Sequence, residues 1–250
     1  MSATHQGLLV PADTPVHRLA PQCKVAATAL FVLAVACTPA GTYRPYLWYL
    51  VLLAAVAALA RLPPLIMARR LLVEVPFVLF VLALPVLGGP PQLTVLGVAL
   101  SVPGLHAAAT ITLKATFGLL ATGILAATTS LPEIITGLER LRVPRVFTAV
   151  ASFMVRYVDV LAAELTRMRT AALCRGGNPR WIWQVREMTA GLGALAVRTF
   201  ERGERVYLAM ASRGYTGALP ETLTGAPAPR AAWAGALTVP ALAAIGLMLA

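Results

Sequence analysis

The sequence predicts an all-α fold: a polytopic membrane helical bundle of about five transmembrane helices, joined to a long cytoplasmic helical region. Three observations predict it. Of 250 residues, 58% are hydrophobic and 12% charged, about half the charged share of a soluble domain. The apolar residues come in blocks long enough to cross a bilayer. The basic residues are also gathered, with thirteen of the 21 Lys and Arg, all arginine, between Glu133 and Glu221.

The arginine-rich stretch sets orientation. Cytoplasmic loops of membrane proteins carry an excess of Lys and Arg. The net charge of +11 is therefore read as a topology signal and not as a nucleic-acid surface. The partner it implies is the lipid bilayer of the cell membrane. Cys23, Cys37 and Cys174 form no CxxC pair and no metal spacing, so they are read as free thiols. No cleavable signal peptide is expected, because the first apolar block starts near Val25 without a small-residue cleavage site.

Five blocks are candidates to span. The first is VAATALFVLAVACT (25–38), short alone but extendable at its N-terminal end. The second is PYLWYLVLLAAVAALA (45–60), with Tyr46, Trp48 and Tyr49 read as an interfacial aromatic belt. The third runs from about Leu71 to Leu87, kinked at Pro76 and Pro85 where neighbouring helices re-satisfy the backbone. The fourth runs from about Leu105 to Thr129, and the fifth is AAWAGALTVPALAAIGLMLA (231–250). The Pro- and Gly-rich segment 88–104 is expected to be a loop with a small extended piece.

Alternating the five spans puts the N-terminus, Arg18, Lys24, Arg61, Arg69 and Arg70 on the arginine-rich, cytoplasmic side. The C-terminus and Arg44 lie outside. The expected organisation is a membrane bundle over 1–129, a cytoplasmic helical region over 130–228 and a C-terminal transmembrane helix over 229–250.

The cytoplasmic region is periodic, not disordered. Val146, Val150, Phe153, Tyr157, Leu161, Leu165, Met168 and Ala172 recur at helical spacing, an apolar stripe along about 40 Å of helix. A weaker stripe joins Leu192, Leu195, Thr199, Gly203, Val206 and Met210. Both are read as packing surfaces of a helical scaffold. CRGGNPRW (174–181), with Gly-Gly and Asn-Pro, stops the first helix.

Both helices end in Arg-Gly. Arg175 and Arg213 stand 38 residues apart (175 to 213). At that offset Arg167 matches Arg205, Ala171 matches Ala209, and Gly176 matches Gly214. Within each copy Arg, Ala and Arg fall at i, i+4 and i+8, one face of a helix. The glycine supplies the left-handed conformation that terminates a helix, and the arginine sits where the helix dipole favours a cation. Such an end is ordinary capping when it occurs once. Twice, in register, it points to two guanidinium groups offered to carboxylates of a partner with two equivalent sites.

These residues resemble the signature of the transmembrane T component of energy-coupling factor (ECF) transporters, and most of all its CbiQ branch, associated with cobalt and nickel uptake. The family carries two Ala-Arg-Gly motifs at the ends of two cytoplasmic coupling helices. Here they read Cys174-Arg175-Gly176 and Ser212-Arg213-Gly214, with a small residue in place of each Ala. HRLAPQCK (17–24) is similar to the family's His-Arg-Leu-Asp-Pro-x-x-Lys, with Ala20 replacing the Asp. LPEIITGLERLRVPR (131–145) and FMVRYVDVLAAELTRMRTA (153–171) match its middle.

The resemblance implies a non-enzymatic energy-coupling subunit of an ABC-type importer. Two cytoplasmic ATPases bind ATP and Mg, and this chain binds no cofactor of its own. The motif arginines face acidic residues of the ATPase grooves, with Arg167, Ala171, Arg205 and Ala209 as the supporting face. A separate membrane-embedded capture (S) component holds the substrate. Cobalt is the preferred substrate by branch, with nickel, biotin and other vitamins open.

The residues exclude other classes. The only lysines, Lys24 and Lys114, follow no Gly-rich loop, so the chain carries no Walker A motif. His5, His17 and His106 are scattered without ligand spacing, and His17 is expected to cap or pack near the membrane surface. A permease of a conventional ABC importer, the main alternative, presents a single Glu-Ala-Ala…Gly coupling loop and not two Arg-Gly ends. An intramembrane enzyme would rest on Glu74 and Lys114 alone. Lys114 lies inside the fourth span. Its readings are a hydrogen bond within the bundle, snorkelling, or a contact with the capture subunit, with Glu74 as a candidate partner.

Overall fold

The structure, a computed structural model, describes residues 12–87, 92–95, 98–176, 185–215 and 228–248. It divides into two units, Met1–Leu141 with Gly225–Ala250, and Arg142–Thr224.

The first unit is the bundle. Its elements are α1 (Pro15–Arg18), α2 (Pro21–Cys37), α3 (Arg44–Leu59), α4 (Pro64–Leu71), a 3-10 turn (Leu72–Glu74), α5 (Val75–Val81) and α6 (Leu84–Leu87). There follow β1 (Gln92–Val95), β2 (Val98–Ser101), α7 (Val102–Thr128) and α8 (Leu131–Arg140). Prolines punctuate it: Pro21, Pro45, Pro64, Pro76, Pro103 and Pro132 all sit in the first two positions of a helix. There a missing N–H costs nothing, because helix starts leave that donor unused. Ser130 and Glu133 close a capping box at the start of α8, with Ser130 N donating to Glu133 Oε2 at 2.9 Å.

α7 is the central helix, packed against α2, α3, α4, α5 and α6. The first unit is completed by α11 (Arg230–Met248), which follows the second unit in sequence and packs on α2 and α3. The core gathers Phe31, Val35, Tyr46, Tyr49, Phe117, Ala121, Ile124 and Ala243. Tyr49 is wholly buried and meets Phe31 and Phe117 edge-on, while Tyr46 stacks on Phe117. The belt read from Tyr46, Trp48 and Tyr49 is thus corrected. Positions 46 and 49 share one helix face, and that face turns inward. Trp48 remains at the surface and donates Nε1–H to the Leu242 carbonyl at 2.9 Å.

Four of the five apolar blocks are single helices: α2, α3, α7 and α11. α7 and α11 have the length and hydropathy of membrane spans, and α2 and α3 are shorter apolar helices. The block at 71–87 differs from its expectation. It starts earlier, at Pro64, and is a succession of short pieces instead of one kinked helix. Pro76 and Pro85 restart helices more than they bend one. In the segment expected to hold a small extended piece, β1 and β2 pair antiparallel, Gln92 with Ser101 and Val95 with Val98.

The second unit holds α9 (Arg145–Cys174) and α10 (Val185–Ala211). The centres of the two apolar stripes face each other: Phe153, Tyr157 and Leu161 line a groove with Gly203, Val206 and Met210. The outer ends stay uncovered, with Val146 71% and Leu192 52% exposed. α9 also meets the length and hydropathy of a membrane span, although charged residues recur along it. The stop read over 174–181 begins where expected, with α9 ending at Cys174 and Gly176 at positive φ, while 177–181 lie outside the described residues.

Candidate functional site

The two Arg-Gly ends are built alike. In α9, Arg175 N donates to the Ala171 and Ala172 carbonyls, and Gly176 N to Leu173 O at 3.1 Å. After α10, Arg213 N donates to Met210 O, Gly214 N to Ala211 O, and Tyr215 N reaches back to Met210 O, each at 3.0 Å. The last two bonds make a Schellman cap. Gly176 and Gly214 both have φ +84°. A Cβ at either would meet nothing within 4 Å, so the backbone angle alone requires glycine.

Cys174, Arg175, Gly176, Ser212, Arg213 and Gly214 are all exposed. Among the described residues neither Arg175 nor Arg213 makes a side-chain hydrogen bond or ion pair. Each guanidinium keeps its five N–H donors for something else. Ser212 differs from its counterpart, turning its hydroxyl onto Ala209 O at 3.0 Å.

The supporting face behaves differently. Arg167 Nη2 pairs with Glu164 Oε2 at 2.7 Å, and Arg205 lies 3.9 Å from Glu201. Ala171 and Ala209 are exposed one turn further on. So Arg167 is paired within its own helix and Arg205 lies near an acid of its own, while among the described residues the tip arginines, Arg175 and Arg213, are unpaired. Glu164 does more: its other oxygen accepts from Arg198 Nη1 of α10 at 2.7 Å. Arg167 first, then Arg198, hold the Glu164 carboxyl below its ordinary value. Sequence reading passed over Glu164 and Arg198; the i,i+3 spacing of Glu164 and Arg167 was the available signal for half of this cluster.

In the bundle, Lys114 Nζ donates to the Ala36 carbonyl of α2 at 2.8 Å. Glu74 is buried and accepts from Thr116 Oγ1 at 2.9 and 3.0 Å. The two charges thus have separate partners. Arg70 donates to the Gly123 carbonyl of α7. The HRLAPQCK segment folds onto α7: Lys24 Nζ donates to His17 O at 3.2 Å and to Thr128 O at 3.0 Å. His17 sits in α1, its ring Nδ1 2.7 Å from the Oγ1 of the capping Thr14. Ala20 is the N-cap of α2 and provides no side-chain bond.

Comparison with known proteins agrees with this architecture. The sequence profile of the CbiQ family, described as "Cobalt transport protein", matches residues 12–224. The "Energy-coupling factor transporter transmembrane protein EcfT" of Thermanaerovibrio acidaminovorans is 30% identical over 235 residues, 86% of this chain and 84% of that one. The protein of the same name from Heliobacterium modesticaldum is 29% identical over 224 residues, 84% of each chain. A fused cobalt transport protein, CbiMQ, of Methanocorpusculum labreanum is 29% identical over 119 residues, 47% of this chain but only 20% of that longer one. The chain belongs to the CbiQ family, the transmembrane T components of energy-coupling factor transporters.

Proposed function

We propose that this chain couples two cytoplasmic ATPases to a membrane-embedded capture subunit in an ECF-type importer, and that its cargo is cobalt. The observation that carries the reading is the pair of matched helix tips, with Arg175 and Arg213 open on equivalent caps. Each tip offers a planar, permanently charged fork to a carboxylate. Two such tips suit the two grooves of an ATPase dimer. ATP and Mg belong to those ATPases, and hydrolysis there moves α9 and α10. The uncovered apolar faces of these helices then pass the motion to the capture subunit. Lys114 offers that subunit its remaining N–H donors. The N-terminus and the arginine-rich region lie in the cytoplasm.

The family description and the relatives named for cobalt transport support cobalt as the cargo. The chain is a non-catalytic part of the machine, with substrate choice made on the capture subunit.

The test is charge reversal at the tips. Removing one member of a buried ion pair costs about 2–5 kcal/mol, and Arg213→Glu adds repulsion. Arg213→Glu and Arg175→Glu should each lower ATPase copurification and cobalt uptake, and the double variant should lose both. A double variant that assembles and transports normally would overturn the reading.

A further inference from the structure

The bundle contains a cavity that the coupling function does not use. It measures about 270 Å³ and lies among α1, α2, α3, α7 and α11. That is well above the roughly 150 Å³ of an engineered apolar cavity that takes up benzene. Its lining includes Val16, Phe31, Leu53, Ala121 and Val239, with Lys24 as the one cationic side chain.

The wall is apolar with one charge. Lys24 is 9% exposed. Its ammonium spends two N–H donors on His17 O and Thr128 O, and a lysine has three. Three threonines also line the cavity, but each donates its hydroxyl to its own helix: Thr28 to Lys24 O, Thr128 to Ile124 O, and Thr238 to Gly235 O. A polar solute would find almost nothing to bond. An alkyl chain would find a matching wall, and an anionic head would find one ammonium in the lining.

We propose that this cavity holds an acyl chain of an anionic phospholipid, its phosphate at Lys24 and its tail between α2, α3, α7 and α11. The cavity is partly open to the outside of the bundle, so an alkyl chain can enter its apolar lining from the bilayer. The lipid completes the packing of α11, which meets α2 and α3 beside the cavity. Charge complementarity selects the head group: the charge of Glu133 reaches Lys24, but among the described residues no carboxylate forms an ion pair with it.

The experiment uses the full chain in nanodiscs of equal phosphatidylglycerol and phosphatidylcholine, released into a native mass spectrometer. The wild type should retain one phosphatidylglycerol. Gly235→Leu should lower that retention about tenfold by filling the cavity. A Cβ at Gly235 meets nothing within 4 Å, and an unchanged thermal-unfolding midpoint checks that the variant keeps its fold. Lys24→Met should still bind lipid but lose the preference for phosphatidylglycerol, and Lys24→Arg should restore it. Equal retention by wild type and Gly235→Leu would overturn the proposal. So would an unchanged head-group preference in Lys24→Met, or a free fatty acid as the retained species.

Discussion

Gly176 and Gly214 adopt the same backbone angle, φ +84°, at the ends of two different helices. No neighbour crowds either one, so the angle itself excludes other residues. Left-handed backbone costs an L-residue about 1–2 kcal/mol. Gly214→Ala and Gly176→Ala should therefore loosen the helix tips without unfolding the chain. Faster amide exchange at Arg213–Tyr215, with bundle protection unchanged, is the expected result for Gly214→Ala. ATPase copurification should fall less than with charge reversal.

Ala20 leaves α2 without a side-chain cap. The family motif has Asp there, directly before a proline at the first helical position. Ala20→Asp should restore an acceptor for the free N–H groups and add about 1 kcal/mol of stability. Thermal unfolding in detergent measures it, and a lowered midpoint would count against the cap.

Glu164 bridges α9 and α10 through Arg167 and Arg198. Both arginines lower its pKa. A carboxyl lowered in the folded state contributes its stability above the unfolded value, about 4.3 for glutamate. That contribution is lost as pH falls through the lowered value. Spin labels at Met168→Cys and Gly191→Cys, in a background lacking the native cysteines, should report close approach at neutral pH and separation in acid. Glu164→Gln should separate them already at neutral pH.

Gly246 lies under Trp48. A Cβ there would stand 2.5 Å from Trp48 Cδ1. Gly246→Ala should displace the indole, break its 2.9 Å bond to Leu242 O and cost about 1–3 kcal/mol by overpacking. A red shift of tryptophan emission, with a lower unfolding midpoint, checks it.

Cys37 and Cys174 are exposed and Cys23 is buried. The proposed topology puts Cys37 at the outer surface and Cys174 in the cytoplasm. A membrane-impermeant maleimide added outside intact cells should label Cys174→Ser protein and spare Cys37→Ser protein. The opposite pattern would invert the topology.

The sequence by itself determined the helical membrane class, four of the apolar helices and the two Arg-Gly ends. Each of these is a local property: apolar length sets a span, and a glycine after an arginine ends a helix whatever surrounds it. The tertiary structure decided what locality cannot reach. Tyr46 and Tyr49 point inward because α7 brings Phe117 opposite them. The run at 64–87 breaks into short helices at its prolines, and the structure decides that those pieces pack on α7. Lys114 and Glu74 take different partners because α2 places a carbonyl beside one and α7 a hydroxyl beside the other. Among the arginines, sequence already sets Arg175 and Arg213, each followed by glycine, apart from Arg167 and Arg205 on the supporting face. The structure adds that Glu164 pairs with Arg167 at 2.7 Å and that Glu201 stands 3.9 Å from Arg205.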